Sequence, residues 1–326
     1  MKQLLNIIKY LLFLGIGVGL LWYTFRGQSF SELYSKISHA KFEWIILSMV
    51  ASIAALISRA MRWNLLIEPL GFKPQLSSSF HSLMIGYFAN LAIPRIGEIT
   101  RCGALSKAEK VPFNKLIGTV IVERASDLIM LAVSIVLLGL MEHRLIGFLL
   151  TEVFDKFKDS KSMLIVGLVG FVLFIVLFSL WLRSSSSGKL KARVMKIVLE
   201  VVEGLKSVFK MKGGFAFLAH TLFIWLMYYL MVYVSFFALV PTSHLDAKAG
   251  LFLMVAGGIG MSAPVQGGIG TYHILVSQGL MVYGISKGDG LIFATLVHTA
   301  QLVLLLLLGT IAVIALFFKN RKAKTV

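Results

Sequence analysis

The residues with the most chemistry to offer lie between Asn90 and Arg101. There Asn90, Pro94, Arg95, Gly97, Glu98 and Arg101 interrupt an otherwise apolar stretch. Pro94 ends one helical arm, because a proline disfavours the α region for the residue before it, and Gly97 permits a turn before a second arm starts. A helix beginning at that turn aims free N–H groups and the positive end of its dipole inward. Arg95 and Arg101 add cationic donors suited to phosphate oxygens. The combination points to a lipid-phosphate site. It is also met by Glu98 pairing with Arg101 or Arg124 only to lower the cost of burying charge, and both can hold at once. A second group, Glu123, Arg124 and Asp127, lies on one apolar helix. Glu123 and Asp127 share a face at i,i+4 spacing, with Arg124 displaced by about 100°. Each such charge costs ~2.5–3.5 kcal/mol at mid-bilayer, so an internal network is expected over a lipid-facing position. Arg124 is expected to pair with Glu98, and the two hairpin arginines to lie near Asp127, as a gate, a binding site or a structural ion cluster.

A third group repeats the interrupted pattern further along. Pro264, Gly267, Gly268 and Gly270 precede Thr271, Tyr272 and His273. The glycines allow close backbone approach and unusual dihedrals. A nucleotide loop is excluded, because no strand precedes the glycines and no Lys-Ser/Thr pair follows them. Tyr272 and His273, at the next helix start, are candidate headgroup contacts, as is His298, three residues before Gln301. His81, His273 and His298 are expected as hydrogen-bonded interior side chains and not as metal ligands, since no H-E-x-x-H or paired Cys/His spacing occurs. The single cysteine, Cys102, excludes an intramolecular disulfide. No metal and no cofactor is expected. Arg59 and Arg62-Trp63 read as snorkelling and aromatic anchoring at the cytoplasmic end of a span.

The elements that must position these groups are membrane helices. Of 326 residues, 58% are hydrophobic and only 14% charged, and the mean hydropathy is +0.86. Soluble domains carry about 25% charge. Full spans are expected near 4–24, 43–63, 115–141, 161–182, 214–240 and 289–318. Residues 77–105 and 249–285 instead consist of two short apolar arms around a polar or Gly/Pro break. Each arm falls short of the ~20 residues a span needs, so both stretches read as re-entrant helical hairpins lining a cavity. The fold class is all-α: six spans plus two hairpins in one membrane domain, residues 1–326. Residues 188–212 carry an apolar helical stripe opposite basic residues, as a helix on the anionic leaflet or a soluble connector would. Residues 28–41 suggest a shorter interfacial helix.

The net charge of +17 would suggest nucleic acid in a soluble protein. Its distribution argues otherwise. With the N-terminus inside, 20 basic residues fall on the inside and 9 on the outside, leaving aside Arg95, Arg101 and Arg124. This is the positive-inside bias, so topology accounts for the charge and nucleic acid is unnecessary. Both termini are then cytoplasmic in a multi-pass inner-membrane protein. The same layout shows an internal repeat, 43–141 against 214–318, joined by a connecting span and amphipathic helix at 161–212. At an offset of 174, Arg124 lies over His298 and Asp127 over Gln301. One unit starts outside and the other inside, as in the inverted repeats of transporters.

The motifs Arg59-x-x-Arg62-Trp63, Asn90-x-x-x-Pro94-Arg95-x-Gly97-Glu98-x-x-Arg101, Glu123-Arg124-x-x-Asp127 and Pro264-x-x-Gly267-Gly268-Ile269-Gly270 together resemble the membrane region of the lysylphosphatidylglycerol synthase family. The resemblance spans about residues 5–318. It implies a flippase-type fold with two re-entrant hairpins and movement of a charged or modified phospholipid between leaflets. Larger family members continue into a soluble aminoacyl-transferase domain, which a chain stopping at Val326 is expected to lack. The expected function is therefore lipid transport and not enzymatic catalysis. Membrane lipids are the partners, with room for a homo-oligomer or a lipid-modifying enzyme. Arg95, Arg101 and Arg124 would hold phosphate, while Glu98, Glu123 and Asp127 balance charge. Two rivals are a non-catalytic partner of an envelope-lipid enzyme and a membrane-embedded lipid-phosphate transferase.

Overall fold

The computed structural model describes residues 35–141, 213–263 and 265–322, with residues 19 and 22 besides. The expected spans 4–24 and 161–182, the basic helix within 188–212, most of 28–41 and Pro264 lie outside the described residues. Within them the protein is all-helical. Eight helices carry it: α1 (Phe42–Ile67), α2 (Leu76–Ala92), α3 (Gly97–Glu109), α4 (Phe113–Met141), α5 (Gly214–Ser235), α6 (Ala247–Ser262), α7 (Thr271–Met281) and α8 (Lys287–Lys322). Among the described residues, three stretches are long and apolar enough to cross a membrane: Phe42–Leu70, Gly214–Ala238 and Lys287–Lys319. Helix α4 has 29 residues, about 43 Å at 1.5 Å per residue, and carries Glu123, Arg124 and Asp127 near its middle.

Between apolar helices in lipid there is no hydrophobic drive to associate, so close packing of small residues and polar bonds must hold them together. The most extensive helix pair, α1 with α5, shows both. Ser48, Ser52, Ala55 and Ser58 recur at three- and four-residue spacing on the buried face of α1. Ser48 Oγ donates to the Met231 carbonyl at 2.9 Å, and Ser58 Oγ meets His220 Nδ1 at 2.8 Å. The opposite face exposes Ile46 and Val50.

Helices α2 and α3 fold back on each other. Helix α2 stops because Ile93, ahead of Pro94, is extended (φ −135°, ψ 116°). Arg95 then takes a left-handed conformation (φ 64°). Asn90 Oδ1 accepts the backbone N–H of Gly97 at 2.7 Å, satisfying one orphan donor at the start of α3. Gly86 lies against the Gly97 carbonyl and the Arg101 Cβ, and any side chain at Gly97 would strike the Gly86 carbonyl and the Asn90 amide. Helices α6 and α7 make the equivalent fold. Gly260 packs on the Tyr272 backbone, Gly257 on the Tyr272 ring and Gly279 on Leu253 and Phe252. Their turn uses left-handed glycines at 267, 268 and 270. Asp246 caps α6 by accepting from the N–H groups of Lys248 and Ala249 at 3.1 and 3.0 Å.

The order long helix, folded-back pair, long helix thus occurs twice, in α1–α4 and α5–α8. Two apolar clusters anchor the two halves: Trp63, Ile67, Leu105, Leu116 and Val120 in the first, and Phe236, Leu253, Val276, Phe293 and Val297 in the second. A third joins them across α1, α2 and α8 through Leu56, Leu83, Met84 and Ala312.

Candidate functional site

The charges of the first half converge on one buried cluster. Glu123, on α4 and fully buried, is its centre. One carboxylate oxygen accepts from Arg59 Nη2 and faces Arg62 Nη2 at 3.5 Å and Arg124 Nη2 at 3.8 Å. The other oxygen accepts from Arg101 Nη1 at 3.1 Å. Asp127, one turn further along α4, accepts from Arg62 Nη2 at 2.8 Å and Arg59 Nη2 at 3.3 Å, with Arg124 Nη1 at 3.6 Å. Arg124 Nε stands 3.7 Å from Glu98 on α3. Helix α5 supplies neutral partners: the Tyr228 hydroxyl accepts from Arg59 Nη1 at 2.7 Å, and Thr221 Oγ1 from Arg62 Nη1 at 3.2 Å. Aromatic faces complete the shell. The Arg101 guanidinium lies 4.8 Å from the Trp63 ring and that of Arg62 5.5 Å from the Phe217 ring. Trp63 is itself fixed by its Nε1–H donating to Thr119 Oγ1 at 2.8 Å.

Four guanidiniums therefore meet three carboxylates, a surplus of one positive charge. Burial grades from one side to the other. Arg59, Arg62, Arg101 and Glu123 are almost wholly inaccessible, whereas the Arg124 side chain is 45% exposed and Glu98 32%. A small cleft of about 210 Å³, counting the part that opens outward, is lined by Tyr87, Asn90, Gly97, Glu98, Arg101 and Arg124. Among the described residues, Arg101 Nε and Nη2 have no hydrogen-bond partner although both are buried. Such unmet donors beside a cleft are costly unless something fills them.

This geometry reorders the sequence expectations. Arg124 does lie beside Glu98. Neither hairpin arginine, however, forms an ion pair with Asp127. Arg101 sits on the face of α3 that packs against Trp63 and takes Glu123. Arg95, at the turn, donates Nη2 to the Ser262 carbonyl at 3.1 Å. Asp127 belongs to Arg59 and Arg62. These two are not snorkelling interface residues but, like Arg101, buried cations of the cluster, because Ser58, Arg59 and Arg62 lie on the stripe of α1 that faces α4 and α5. A signal for them was present: three intramembrane carboxylates need cationic partners, and Arg59 and Arg62 share a helix face at i,i+3 spacing. Tyr228 and Thr221 left no such signal.

Tyr272, His273 and His298 form a separate stack. The Tyr272 and His298 rings are parallel with centroids 5.0 Å apart, and His273 meets His298 edge-on at 4.9 Å. His298 Nε2 bonds the Gly267 carbonyl at 2.8 Å, and His273 Nδ1 faces the Gly270 N–H at 3.4 Å. Gln301 donates to Ser48 at 3.4 Å. Pro94 and Gly97 shape the first turn, and Gly267, Gly268 and Gly270 the second. Among the described residues no group of three or more His, Cys, Asp or Glu could hold a metal ion.

The sequence as a whole decides the affiliation. Residues 6–309 match the family model of the lysylphosphatidylglycerol synthase transmembrane region. The chain belongs to that family. A UPF0104 membrane protein of Methanocaldococcus jannaschii is 32% identical over 88 residues, covering 26% of this chain and 26% of that one. That match spans only about a quarter of the relative's length. No solved structure matches the chain. Family membership and the long apolar helices place the protein in a membrane.

Proposed function

We propose that the protein moves the headgroup of a phospholipid or related lipid between leaflets, through a polar cavity beside the Glu123 cluster. In this reading it is a multi-pass inner-membrane protein with six spans, both termini cytoplasmic, and its two folded-back helix pairs enter the bilayer as re-entrant hairpins of an inverted repeat. The repeated helix order and the antiparallel contacts of Gly86 with Gly97 and of Gly260 with Tyr272 support that arrangement.

One observation carries the transport reading. Arg101, buried and lining the cleft, keeps two donors unpaired beside the half-exposed Arg124 and Glu98. A phosphate oxygen would satisfy these donors through charge-assisted bonds, and the surplus positive charge favours an anion. Glu123 and Asp127 are held by guanidiniums, which leaves them poor general bases and favours carriage over covalent chemistry.

The test is lipid scrambling in reconstituted vesicles, with wild type against Arg101→Gln, Arg95→Ala and Glu98→Gln. Wild type is expected to equilibrate a labelled phospholipid between leaflets, with Arg101→Gln slowest. Activity no higher than empty vesicles across several lipids would refute the reading. A second reading, membrane partner of a lipid-modifying enzyme, draws on the matched region's description as part of a synthase. It predicts a co-purifying enzyme and indifference of transport to neutralising Arg101.

A further inference from the structure

The two turns, at 93–96 and 265–270, touch each other in a reciprocal way. Arg95 of the first turn donates Nη2 to the carbonyl of Ser262, the last residue of α6, at 3.1 Å. Gln266 of the second turn donates Nε2 to the carbonyl of Ala92, the last residue of α2, at 3.3 Å. Each hairpin thus supplies a side chain that caps the other hairpin's first arm. Carbonyls at a helix C-terminus lack intrahelical partners and carry the negative end of the dipole, so a donor arriving there is stabilising. Packing follows the same path: a Cβ at Gly267 would sit 3.3 Å from Leu91 Cδ2 and 3.4 Å from Leu302 Cδ2. The Gly267 carbonyl is bonded to His298 on α8, which ties the second turn to a long helix.

Arg95 differs from the other arginines around the site. Its backbone is left-handed at φ 64°, which costs a non-glycine residue about 1–2 kcal/mol. It is exposed, and among the described residues no carboxylate pairs with it; its Nη2 donates to a neutral carbonyl. Arg59, Arg62, Arg101 and Arg124 all face carboxylates. A bond from guanidinium to a charged phosphate oxygen is roughly twice as strong as one between neutral groups. The carbonyl of Ser262 is therefore the weaker competitor for Arg95.

We propose that the two turns form a reciprocal latch, Arg95 on Ser262 and Gln266 on Ala92, and that an anionic phosphate opens it by drawing Arg95 off the Ser262 carbonyl. The release half of this rests on the transport reading; the latch itself does not. Losing Arg95 frees the C-terminus of α6 and leaves Gln266 alone to hold the turns together, so one anion loosens both hairpins. The cleft lined by Asn90, Gly97 and Glu98 lies directly beside the first turn.

Hydrogen exchange read by mass spectrometry on the full chain in maltoside micelles tests it. Arg95→Ala is expected to raise amide exchange at 265–270 roughly tenfold, and Gln266→Ala to raise it at 93–97 by a smaller factor. Arg95→Lys should sit between, and amides within 214–235 should stay protected in all variants, which reports that each is folded. Wild type doped with phosphatidylglycerol should show the Arg95→Ala pattern, while diacylglycerol, lacking phosphate, should not. Inorganic phosphate reproducing the effect assigns the trigger to the free anion; phosphatidylglycerol alone assigns it to lipid. If each substitution loosens only its own turn, or phosphatidylglycerol leaves wild type unchanged, the proposal is overturned. Scrambling after the same proteins are reconstituted into vesicles keeps the two readings apart: wild type that moves lipid without these exchange changes sinks the latch alone.

Discussion

Replacing Glu123 by glutamine removes the carboxylate on which three helices converge. Arg59, Arg62, Arg101 and Arg124 would then share Asp127 and Glu98, raising the local surplus from one positive charge to two. Removing one partner of a buried ion pair costs about 3–5 kcal/mol, because an uncompensated ion stays in a low-dielectric site. For a chain of this size that corresponds to a fall in Tm on the order of 10 °C. Thermal unfolding in detergent, followed by circular dichroism, measures it. The decisive comparison is the cycle with Arg101→Gln. The double variant keeps three guanidiniums against two carboxylates, the native surplus, and is expected to be more stable than Glu123→Gln alone. A coupling of at least about 1.5 kcal/mol should result. Single losses that simply add within about 0.5 kcal/mol would show that the cluster does not act as a unit, and the argument from net charge would fail.

Four further outcomes follow from the packing. Gly97→Ala should lower stability by several degrees and slow scrambling, since its Cβ would strike the Gly86 carbonyl and the Asn90 amide; melting curves and the vesicle assay report both. Trp63→Phe keeps most of the apolar surface but removes the bond to Thr119 Oγ1, which keeps only its donation to the Leu116 carbonyl, and thins the π face beneath Arg101, so a loss of about 1 kcal/mol in denaturant titration is expected. Cys102, buried against Leu105 and Leu116, should resist maleimide in the native state and react on unfolding, a single-thiol reporter for every variant above. Burial pushes the Glu109 carboxyl up, but the hydrogen bonds of Lys319 and Ser78 outweigh it and hold the group below the usual carboxylate range. A depressed folded value means its stabilisation is full above the unfolded value of about 4.3 and fades as pH falls through the folded one. The Tm gap between wild type and Glu109→Gln should therefore close on acidification, and a gap that widens would refute the assignment.

Element positions were legible because period and interruption are written locally. Pro94 and the glycines at 267, 268 and 270 mark both turns to within a few residues, and α2 and α3 run one to four residues beyond the arms expected from 77–105. The Arg124–Glu98 contact was also legible, since intramembrane charges must find one another. The identity of the other partners was not. Which carboxylate each arginine takes depends on how α1 rotates against α4 and α5, and that rotation is set by serines and alanines whose small size leaves no charge pattern to read. Arg59 and Arg62 were misplaced for this reason: near a helix end, length along the chain suggests an interface, whereas depth is decided by neighbours. Arg95 shows the converse. Its residue type suits phosphate, yet in this conformation its left-handed backbone turns it toward α6.

The cluster also constrains how the protein is made. Arg59 precedes Glu123 by 64 residues. At synthesis rates of about 5–20 residues per second, α1 emerges roughly 3–13 s before its counter-ions exist. A helix bearing two unneutralised guanidiniums is poorly tolerated by hydrocarbon, so α1 must linger at the insertion machinery or the headgroup region until α4 arrives. Stable insertion of the first half is therefore expected to depend on α1 and α4 meeting.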